Sequence, residues 1–352
     1  MSNFLNSKFK FLNPYNTGGD RVPENCIRLN TNESPYPPSP KVLKSVSNIV
    51  NNLNFYGDPE CKLLAKKAAE LFNIQPDEIL FGNGSDEILN FLFMSTCENG
   101  VVFPDITYSF YKVLAQIHGV KFDLIPLKNF KIDPNDYLNL NSRTAFITNP
   151  NAPTGIALNL NDIAKILSAN PESLIVIDEA YVDFGGDSSI KLIHDFKNLI
   201  ITRTFSKSRS MAGARLGFAI SNSDLINDLR NIKNSLAPYN INSMTQSAGI
   251  AAFEDEGYTQ NNIREIINTR ENFIKGLREL NFEVLNSSTN FVFARHNKFS
   301  GDEVFNLLLK NNILIRHFKN PETITNFNRI TIGTPEQMSL TLEVLKNALL
   351  RN

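Results

Sequence analysis

The sequence predicts an α/β protein with a large domain built on a doubly wound, mostly parallel sheet, a smaller α+β domain and an N-terminal arm. Two observations predict this fold. Short apolar runs alternate with helical stretches from about residue 78, and the pattern changes after about residue 240. A chain of 352 residues is also long enough for about two domains. The predicted limits are 1–30 for the arm, 31–240 for the large domain and 241–352 for the small domain.

Seven apolar runs are the strand candidates of the large domain. They are Ile79–Phe81, Val101–Phe103, Val120–Ile125, Ala145–Thr148, Leu174–Ile177, Leu199–Ile201 and Phe218–Ile220. Several of them lack polar alternation, which is typical of strands covered by helices on both faces. Helices are interleaved with the strands, including Ser85–Thr96 and Asn161–Ala169. Because strands joined by helical crossovers run parallel, this alternation predicts an open, doubly wound sheet.

The elements after residue 240 predict a smaller α+β domain. A long helix is expected over Tyr258–Leu280, where apolar residues recur at helical spacing, and Phe282–Arg295 is expected to form strands. Ser300 and Glu303 make a capping box ahead of a further helix. Pro335 stands at the first position of the terminal helix.

Composition excludes several classes of function. The 35 Lys and Arg residues nearly cancel the 36 Asp and Glu residues, so no cationic field favours nucleic acid or an anionic membrane as a partner. No apolar run reaches the roughly 18 residues of a membrane span, and the N-terminus lacks the apolar core of a signal peptide. The three cysteines are scattered and the four histidines do not cluster. We therefore expect a reduced, cytoplasmic protein without a metal site.

The segment TFSKSRSMAGARLG, residues 204–217, carries the most chemical information. Lys207 follows a predicted strand, is flanked by the hydroxyls of Ser206 and Ser208, and precedes Arg215 by eight residues. Such a lysine can form a Schiff base with a carbonyl, beside a phosphate held by the arginine. A solvated lysine in a polar loop is the alternative for this segment read alone.

Asp178 follows the predicted strand Leu174–Ile177, and Tyr181 follows three residues later. An acid at the carboxyl end of a parallel strand points into the crevice where doubly wound folds bind ligands. Next to a pyridine nitrogen, its carboxylate would keep that nitrogen protonated and the ring an electron sink. An aspartate that caps the next helix is the alternative. The separation from Lys207, 207 − 178 = 29 residues, allows one crossover between adjacent strands.

The segment GNGSDE, residues 82–87, follows a predicted strand and begins a helix. Two glycines, a hydroxyl and the helix N-terminal amides together form a phosphate-binding turn. A plain tight turn with Ser85 or Asp86 as the N-cap is the alternative. The dinucleotide fingerprint G-x-G-x-x-G is not satisfied, because Glu87 occupies the third glycine position. This departure argues against NAD or FAD.

Three further features follow other strands. In NPNAPTG, residues 149–155, prolines fix an extended turn and asparagines offer hydrogen-bond donors, although a rigid loop would have the same sequence. Tyr108 is placed either to stack on a flat ring or to pack in the core. Arg329, in a strand-like run of the small domain, suits a carboxylate or phosphate, or a surface ion pair. Together these features provide a residue that can stack on a ring, an acid that can make the ring an electron sink, a lysine that can form a Schiff base, and a turn that can bind phosphate. These four functions are consistent with one another in a single site.

With these motifs the chain resembles the pyridoxal-phosphate aminotransferases of the aspartate aminotransferase superfamily (fold type I), and among them the class II histidinol-phosphate aminotransferases. The resemblance runs from end to end, and its most specific element is S-K-x-x-x-x-x-G-x-R with D-E-A-Y upstream. The other matching segments are LNTNESPYPP, NFYGDPE, GNGSDE, PDITYSFY, NPNAPTG, STNFVF and NRITIGT. The resemblance implies a homodimer that acts on a small amino donor and a 2-oxo acid, with a large domain that binds the cofactor.

The resemblance also implies a role for each matched residue. Lys207 would carry pyridoxal 5′-phosphate covalently, Asp178 would pair with its pyridine nitrogen, and Tyr181 would contact its ring hydroxyl. These three are the implied catalytic residues, and Tyr108 would stack on the ring. The cofactor phosphate would be held by Gly84, Ser85, Asp86, Ser206 and Arg215, and by Tyr56 of the partner subunit.

The implied substrate pocket combines arginines with tyrosines and asparagines. Arg329 and Arg316 would bind substrate anions, and Tyr15 would reach the partner's site. The other implied pocket residues are Asn32, Tyr239, Asn240 and Asn290. One position departs from the family pattern, because Ala152 replaces the asparagine that precedes Pro-Thr-Gly and contacts the ring hydroxyl. The neighbouring Asn151 is expected to take over that contact with the cofactor.

The implied reaction is reversible amino transfer from L-histidinol phosphate to 2-oxoglutarate, which gives imidazole-acetol phosphate and L-glutamate in histidine biosynthesis. Two alternatives use the same fold: an aromatic or broad-range aminotransferase, and a phosphothreonine-type decarboxylase. A nonenzymatic regulatory module would require an attached DNA-binding domain, which we do not expect in 352 residues.

Overall fold

The computed structural model of the protein describes residues 2–10, 12–15 and 25–349, so residues 16–24 of the predicted arm lie outside the described residues. The described strands are β1 Ile27–Leu29, β2 Ile79–Asn83, β3 Val101–Pro104, β4 Phe122–Ile125, β5 Thr144–Thr148, β6 Ile175–Asp178, β7 Leu199–Thr204, β8 Leu216–Ile220, β9 Phe282–Val284, β10 Phe291–His296, β11 Ile313–His317 and β12 Asn328–Thr331. The α-helices are α1 Pro40–Ile49, α2 Lys62–Phe72, α3 Ser85–Ser95, α4 Phe110–His118, α5 Leu160–Ala169, α6 Ser223–Leu236, α7 Ser243–Phe253, α8 Glu256–Glu279, α9 Gly301–Lys310 and α10 Pro335–Leu349.

Seven strands form the large sheet, in the order β2-β8-β7-β6-β5-β3-β4. The strands β7, β6, β5, β3 and β4 are parallel, and β8 is antiparallel to both β7 and β2. Alternate residues pack on opposite faces: Ile177 lies in the core with α2 and α5, and Val176 lies in the core with α3 and α4. Because both faces are covered, these strands need no polar alternation. The predicted doubly wound, mostly parallel sheet is confirmed.

Five strands form the small sheet, in the order β1-β11-β12-β10-β9. Strand β1 is parallel to β11, although the sequence predicted no strand in the first thirty residues. Apolar residues of α8, α9 and α10 cover this sheet, among them Phe273, Leu308 and Leu345. Strands β11 and β12 are antiparallel, and their register places Arg316 opposite Arg329. The small sheet therefore brings two distant arginines together.

The helix boundaries agree closely with the capping signals in the sequence. Ser300 and Glu303 form the predicted capping box of α9, and Pro335 begins α10. The long helix α8 covers 256–279, against the predicted 258–280. The predicted domain limits at residues 30 and 240 stay predictions; Ala248 of α7 packs in the core of the large sheet. None of the helices among the described residues has the length and apolar character needed to cross a membrane.

Candidate active site

A cavity of about 410 Å³ lies at the carboxyl edge of the large sheet, where residues of the small sheet also border it. Ligands of doubly wound folds bind at this edge, because the connections there diverge from the strand ends. Most of the predicted site residues line the cavity. They are Tyr15, Asn32, Ser85, Asp86, Tyr108, Asp178, Tyr181, Ser206, Lys207, Arg215, Arg316 and Arg329.

Lys207 follows β7 and points its amine into the cavity. Its Nζ donates a hydrogen bond to the carbonyl of Thr31 at 3.0 Å, and it lies 5.9 Å from the ring centre of Tyr181. Burial and the nearby charge of Arg329 lower the pKa of Lys207 to about 8. Within the described ranges no carboxylate forms an ion pair with this lysine. A usable fraction of the amine is therefore neutral near pH 7, as a nucleophile requires.

Asp178 ends β6 and is buried beneath the cavity. Its Oδ2 accepts a hydrogen bond from the Tyr111 hydroxyl at 2.9 Å, and its Oδ1 accepts one from the Ala180 amide at 3.2 Å. Burial raises the pKa of Asp178 to about 6, and the Tyr111 hydrogen bond opposes this rise. A cationic partner in the cavity would reverse the effect of burial, because an opposite charge favours the carboxylate.

Tyr111 is a site residue that the sequence reasoning missed. It is fully buried on α4, three residues after Tyr108, which precedes the helix, and its hydroxyl lies 2.8 Å from Thr148 Oγ1 as well as beside Asp178. The sequence offered only its closeness to Tyr108, whose carbonyl accepts a hydrogen bond from the Tyr111 amide at 3.2 Å. Core packing explains a buried aromatic equally well, so only the contact with Asp178 distinguishes its role.

The other end of the cavity has the form of an anion-binding turn. No side chain caps the N-terminus of α3, which leaves its first amides available, and Gly84 before it has φ +78°. This positive φ favours glycine, and a Cβ at position 84 would also lie 2.5 Å from Arg215 Nη2, which would have to shift. Arg215 Nη2 donates to Asp86 Oδ2 at 3.0 Å, and the Tyr108 hydroxyl donates to Asp86 Oδ1 at 2.9 Å. With Ser206 lining the cavity, these groups suit a phosphate.

Two arginines of the small sheet border the cavity opposite Asp178. Arg329 Nη2 donates to the Asn30 carbonyl at 2.8 Å, while its buried Nε has no hydrogen-bond partner among the described residues. The guanidinium groups of Arg329 and Arg316 lie 5.9 and 5.6 Å from the ring centre of Phe318. Two like charges on neighbouring strands repel each other, so an anionic ligand between them would be stabilising. This end of the cavity suits a carboxylate or a phosphate.

Asn151 does not line the cavity. Its Oδ1 accepts from Thr107 Oγ1 at 2.9 Å, and its Nδ2 donates to the Ile106 carbonyl at 3.0 Å and to Thr154 Oγ1 at 3.1 Å. The amide is therefore fully used by one partner in its own loop and two in the loop that follows β3, and Ala152 faces the cavity instead. This arrangement differs from the expected contact between Asn151 and the cofactor.

Asn32, Asn290 and Tyr15 lie at or near the cavity, but they make contacts that the sequence did not predict. Asn32 Nδ2 donates to the Tyr181 hydroxyl at 2.9 Å. Asn290 lies behind it, where its Nδ2 donates to the Asn32 carbonyl at 3.0 Å. Tyr15 lines the cavity of its own chain, with its ring 5.7 Å from that of Tyr108, whereas we expected it to reach a partner's site.

Tyr56 and Tyr239 lie outside the cavity. Their rings stack at 4.4 Å, and they are 83% and 49% exposed. Exposed apolar side chains that follow α1 lie nearby in sequence, including Leu53 and Phe55. Asn240 binds Glu87 Oε2 through its Nδ2 at 2.6 Å. Within a single chain, Tyr56 and Tyr239 therefore lie apart from the other predicted site residues.

Comparison with known proteins places the chain in a family. The family model described as aminotransferase class I and II matches residues 24–345. A histidinol-phosphate aminotransferase of Brachyspira hyodysenteriae is 45% identical over 98% of this chain and 99% of its own, and that of Clostridium beijerinckii is 43% identical over 100% and 99%.

Solved structures agree with this assignment. The histidinol-phosphate aminotransferase of Clostridium acetobutylicum superposes with a TM-score of 0.86 at 27% identity, covering 93% of this chain and 100% of its own. That of Sinorhizobium meliloti, in complex with pyridoxal-5′-phosphate, has the same fold, with a TM-score of 0.88 at 22% identity over 99% of each chain. The chain belongs to the aminotransferase class I and II family.

Proposed function

We propose that the protein is a pyridoxal-phosphate-dependent aminotransferase that transfers the amino group of L-histidinol phosphate to 2-oxoglutarate, giving imidazole-acetol phosphate and L-glutamate. The observation that carries the proposal is the buried amine of Lys207, which lies in one cavity with Asp178 and with the facing arginines Arg316 and Arg329. Relatives of 41–45% identity that carry the name histidinol-phosphate aminotransferase support the substrate. The reaction belongs to histidine biosynthesis.

The cavity residues fit pyridoxal phosphate at both of its ends. Gly84, Ser85, Asp86, Ser206 and Arg215 form the phosphate site, in which the uncapped α3 supplies amides. Tyr108, which lines the cavity, would stack on the ring. When bound, this cofactor supplies a carbonyl that captures amines and a ring that takes up electrons from the substrate carbon.

Lys207 holds the cofactor covalently through Nζ and later acts as a base. Burial favours its neutral amine, which is the form that attacks a carbonyl. When not bonded to the cofactor, the Lys207 Nζ would be positioned to move a proton at the reacting carbon of the substrate. The hydrogen bond from Nζ to the Thr31 carbonyl indicates where the displaced amine is held.

Asp178 and Tyr181 set the charge on the cofactor ring. The Asp178 carboxylate holds a proton on the pyridine nitrogen, and Tyr111 fixes that carboxylate in place. The charged nitrogen in turn favours ionised Asp178, which offsets the effect of burial on its pKa. Tyr181, which also lines the cavity, would donate a hydrogen bond to the ring hydroxyl oxygen. Asn151 is not proposed for that contact, because its amide is already bonded to Ile106, Thr107 and Thr154.

The substrates are recognised by their anionic groups. Arg329 and Arg316 bind the phosphate of the donor and a carboxylate of 2-oxoglutarate in alternating half-reactions. Tyr15 would add a hydroxyl for the substrate phosphate, Asn32 forms part of the pocket wall, and Asn290 supports Asn32 from behind. A dianionic phosphate needs more donors than a carboxylate, which is the reason for two arginines.

The active protein is a homodimer in which Tyr56 reaches the cofactor phosphate of the partner subunit. The exposure of the stacked Tyr56 and Tyr239 supports this assembly, because two large aromatic rings are left outside the core of their own chain. Tyr239 belongs to the same contact region and reaches the substrate pocket only across the interface. The described cysteines Cys26, Cys61 and Cys97 are free thiols, which supports a cytoplasmic location.

A panel of amino donors tests the proposed reaction. Purified protein loaded with pyridoxal phosphate is mixed with histidinol phosphate, phenylalanine or phosphothreonine, each with 2-oxoglutarate, and the formation of glutamate and carbon dioxide is followed. We expect the largest kcat/KM for histidinol phosphate and no carbon dioxide. A preference for phenylalanine would indicate an aromatic aminotransferase instead, and carbon dioxide from phosphothreonine would indicate a decarboxylase.

A further inference from the structure

Asn32 is a cavity residue whose polar atoms are all hydrogen-bonded. It is 1% exposed and has φ +55°. Its backbone amide donates to Thr331 Oγ1 at 3.0 Å, and its carbonyl accepts from Asn290 Nδ2 at 3.0 Å. In the side chain, Oδ1 accepts from Thr331 Oγ1 at 3.0 Å and Nδ2 donates to the Tyr181 hydroxyl at 2.9 Å. Asn32 therefore has one fixed orientation.

The direction of each hydrogen bond follows from the backbone amide. A backbone N–H can only donate, so Thr331 Oγ1 accepts from Asn32 and directs its own proton to Asn32 Oδ1. The remaining side-chain atom of Asn32 is then the NH2 group, which donates to the oxygen of Tyr181. Because Asn32 offers Tyr181 no acceptor, the hydroxyl proton of Tyr181 is left for an oxygen in the cavity.

We propose that Asn32 is a positioning residue that turns the hydroxyl proton of Tyr181 toward the ring oxygen of the bound cofactor. This inference rests on the proposed function, because it requires pyridoxal phosphate in the cavity. The Asn151 side chain does not supply such a contact, since its amide is bonded to Ile106 and Thr154, and the Ala152 side chain has no donor. Asn32 and Tyr181, 149 residues apart in the sequence, provide it instead.

Strand β12 links this contact to the substrate end of the cavity. Thr331, which fixes Asn32, lies two residues after Arg329 on β12, and alternate residues of a strand share one face. The hydrogen bond from Arg329 to the Asn30 carbonyl holds the same segment of chain. The small sheet thus positions a group that acts on the cofactor ring, although the lysine and the aspartate are on the large sheet.

The pH dependence of cofactor absorbance tests the proposal without measuring turnover. A hydrogen bond to the ring oxygen draws electron density from it, so losing that bond raises the pH at which the bound chromophore releases its proton. We expect Tyr181→Phe to raise this midpoint by about one unit and Asn32→Ala by about 0.5 to 1 unit, the equivalent of one ordinary hydrogen bond. In the Tyr181→Phe background, Asn32→Ala should add nothing.

Two threonine variants complete the test. Thr331→Val removes the hydroxyl that orients Asn32 and should shift the midpoint in the same direction, which covers the case in which Asn32→Ala does not fold. Thr341→Val, at a buried threonine of α10 whose hydroxyl donates to the Gln337 carbonyl within the same helix, should leave the midpoint unchanged. If Asn32→Ala shifted the midpoint equally in the wild-type and Tyr181→Phe backgrounds, the proposal would be overturned. A wild-type protein that never acquires a titrating visible band would overturn the proposed function as well.

Discussion

The two sides of the cavity differ in how Asp178, on the large-sheet side, and Arg329, on the small-sheet side, are paired within the chain. On the large-sheet side, both oxygens of Asp178 accept hydrogen bonds, and Tyr111 is itself bonded to Thr148. On the small-sheet side, Arg316 and Arg329 face each other, and the buried Nε of Arg329 has no partner among the described residues. The first side suits a permanent group, and the second suits anions that change during the reaction.

Replacing Lys207 should have the largest effect, because both sides of the cavity depend on it. Lys207→Arg should fold and bind pyridoxal phosphate non-covalently, yet lose turnover by about 10²- to 10⁴-fold or more, since arginine does not deprotonate. Borohydride should trap the cofactor on Lys207 of the wild-type protein, as peptide mapping will detect. Lys275→Arg, on the exposed face of α8, is the control and should behave as wild type. An adduct on any other lysine would refute the assignment.

The stability of the cofactor-free protein tests the large-sheet side of the cavity. The folded-state pKa of Asp178, about 6, lies above its ordinary value of 3.8, so the folded protein binds this proton more tightly than the unfolded chain does. Its contribution to stability is therefore present below pH 3.8 and is lost as the pH rises through 6. Between pH 4 and 7, Asp178→Asn should gain on the order of 1–3 kcal/mol over wild type.

Urea unfolding of the cofactor-free protein at several pH values measures this difference. Asp195→Asn, at an exposed position, is the matched control and should show no such pH dependence. Added pyridoxal phosphate should reverse the order, because a charged ring nitrogen favours ionised Asp178. If the difference between Asp178→Asn and wild type did not vary with pH, burial would not be the cause of the shifted pKa.

The small-sheet side is tested by the choice of substrate. Losing a charge-assisted hydrogen bond costs about 1.5–3 kcal/mol, and a phosphate uses more of them than a carboxylate does. Arg316→Ala should therefore depress the histidinol-phosphate half-reaction by at least about tenfold more than the glutamate half-reaction, whereas Arg329→Ala should depress both. Single-turnover spectra of each half-reaction provide the measurement.

A control arginine separates this effect from general damage to the small sheet. Arg295→Ala removes a side chain of β10 that pairs with Glu283 on the surface, and it should change neither half-reaction. Equal losses for both donors in Arg316→Ala would remove the reason for naming a phosphorylated substrate. The protein would then be assigned only as an aminotransferase.

The smallest effect is expected in mixed dimers. Tyr56→Phe and Lys207→Ala subunits, mixed after partial unfolding, should form hybrids with one site that has both wild-type residues. Random pairing makes about a quarter of all sites wild type, so the mixture should be more active than expected from the activities of the two parent proteins. Sedimentation should show a dimer throughout. A fully active monomer would contradict the proposed contribution of Tyr56 to the partner subunit.

Local patterns were sufficient to predict most of the fold. Uninterrupted apolar runs marked the buried strands of the large sheet, and Ser300 and Pro335 marked helix starts through capping chemistry that acts within one turn. Strand β1 was missed because three residues that pair with β11, nearly 300 positions later, carry no periodic signal of their own.

The sequence by itself determined which chemical groups are present at the strand ends: the amine of Lys207, the carboxylate of Asp178 and the anion-binding turn before α3. Only the tertiary structure decided how those groups are supported. It placed Tyr111 under Asp178 and Asn32 against Tyr181, and it used the Asn151 amide to join its own loop to the loop after β3. The physical reason is that a strand end is set by local periodicity, whereas the direction of a polar side chain depends on which distant donors and acceptors compete for it.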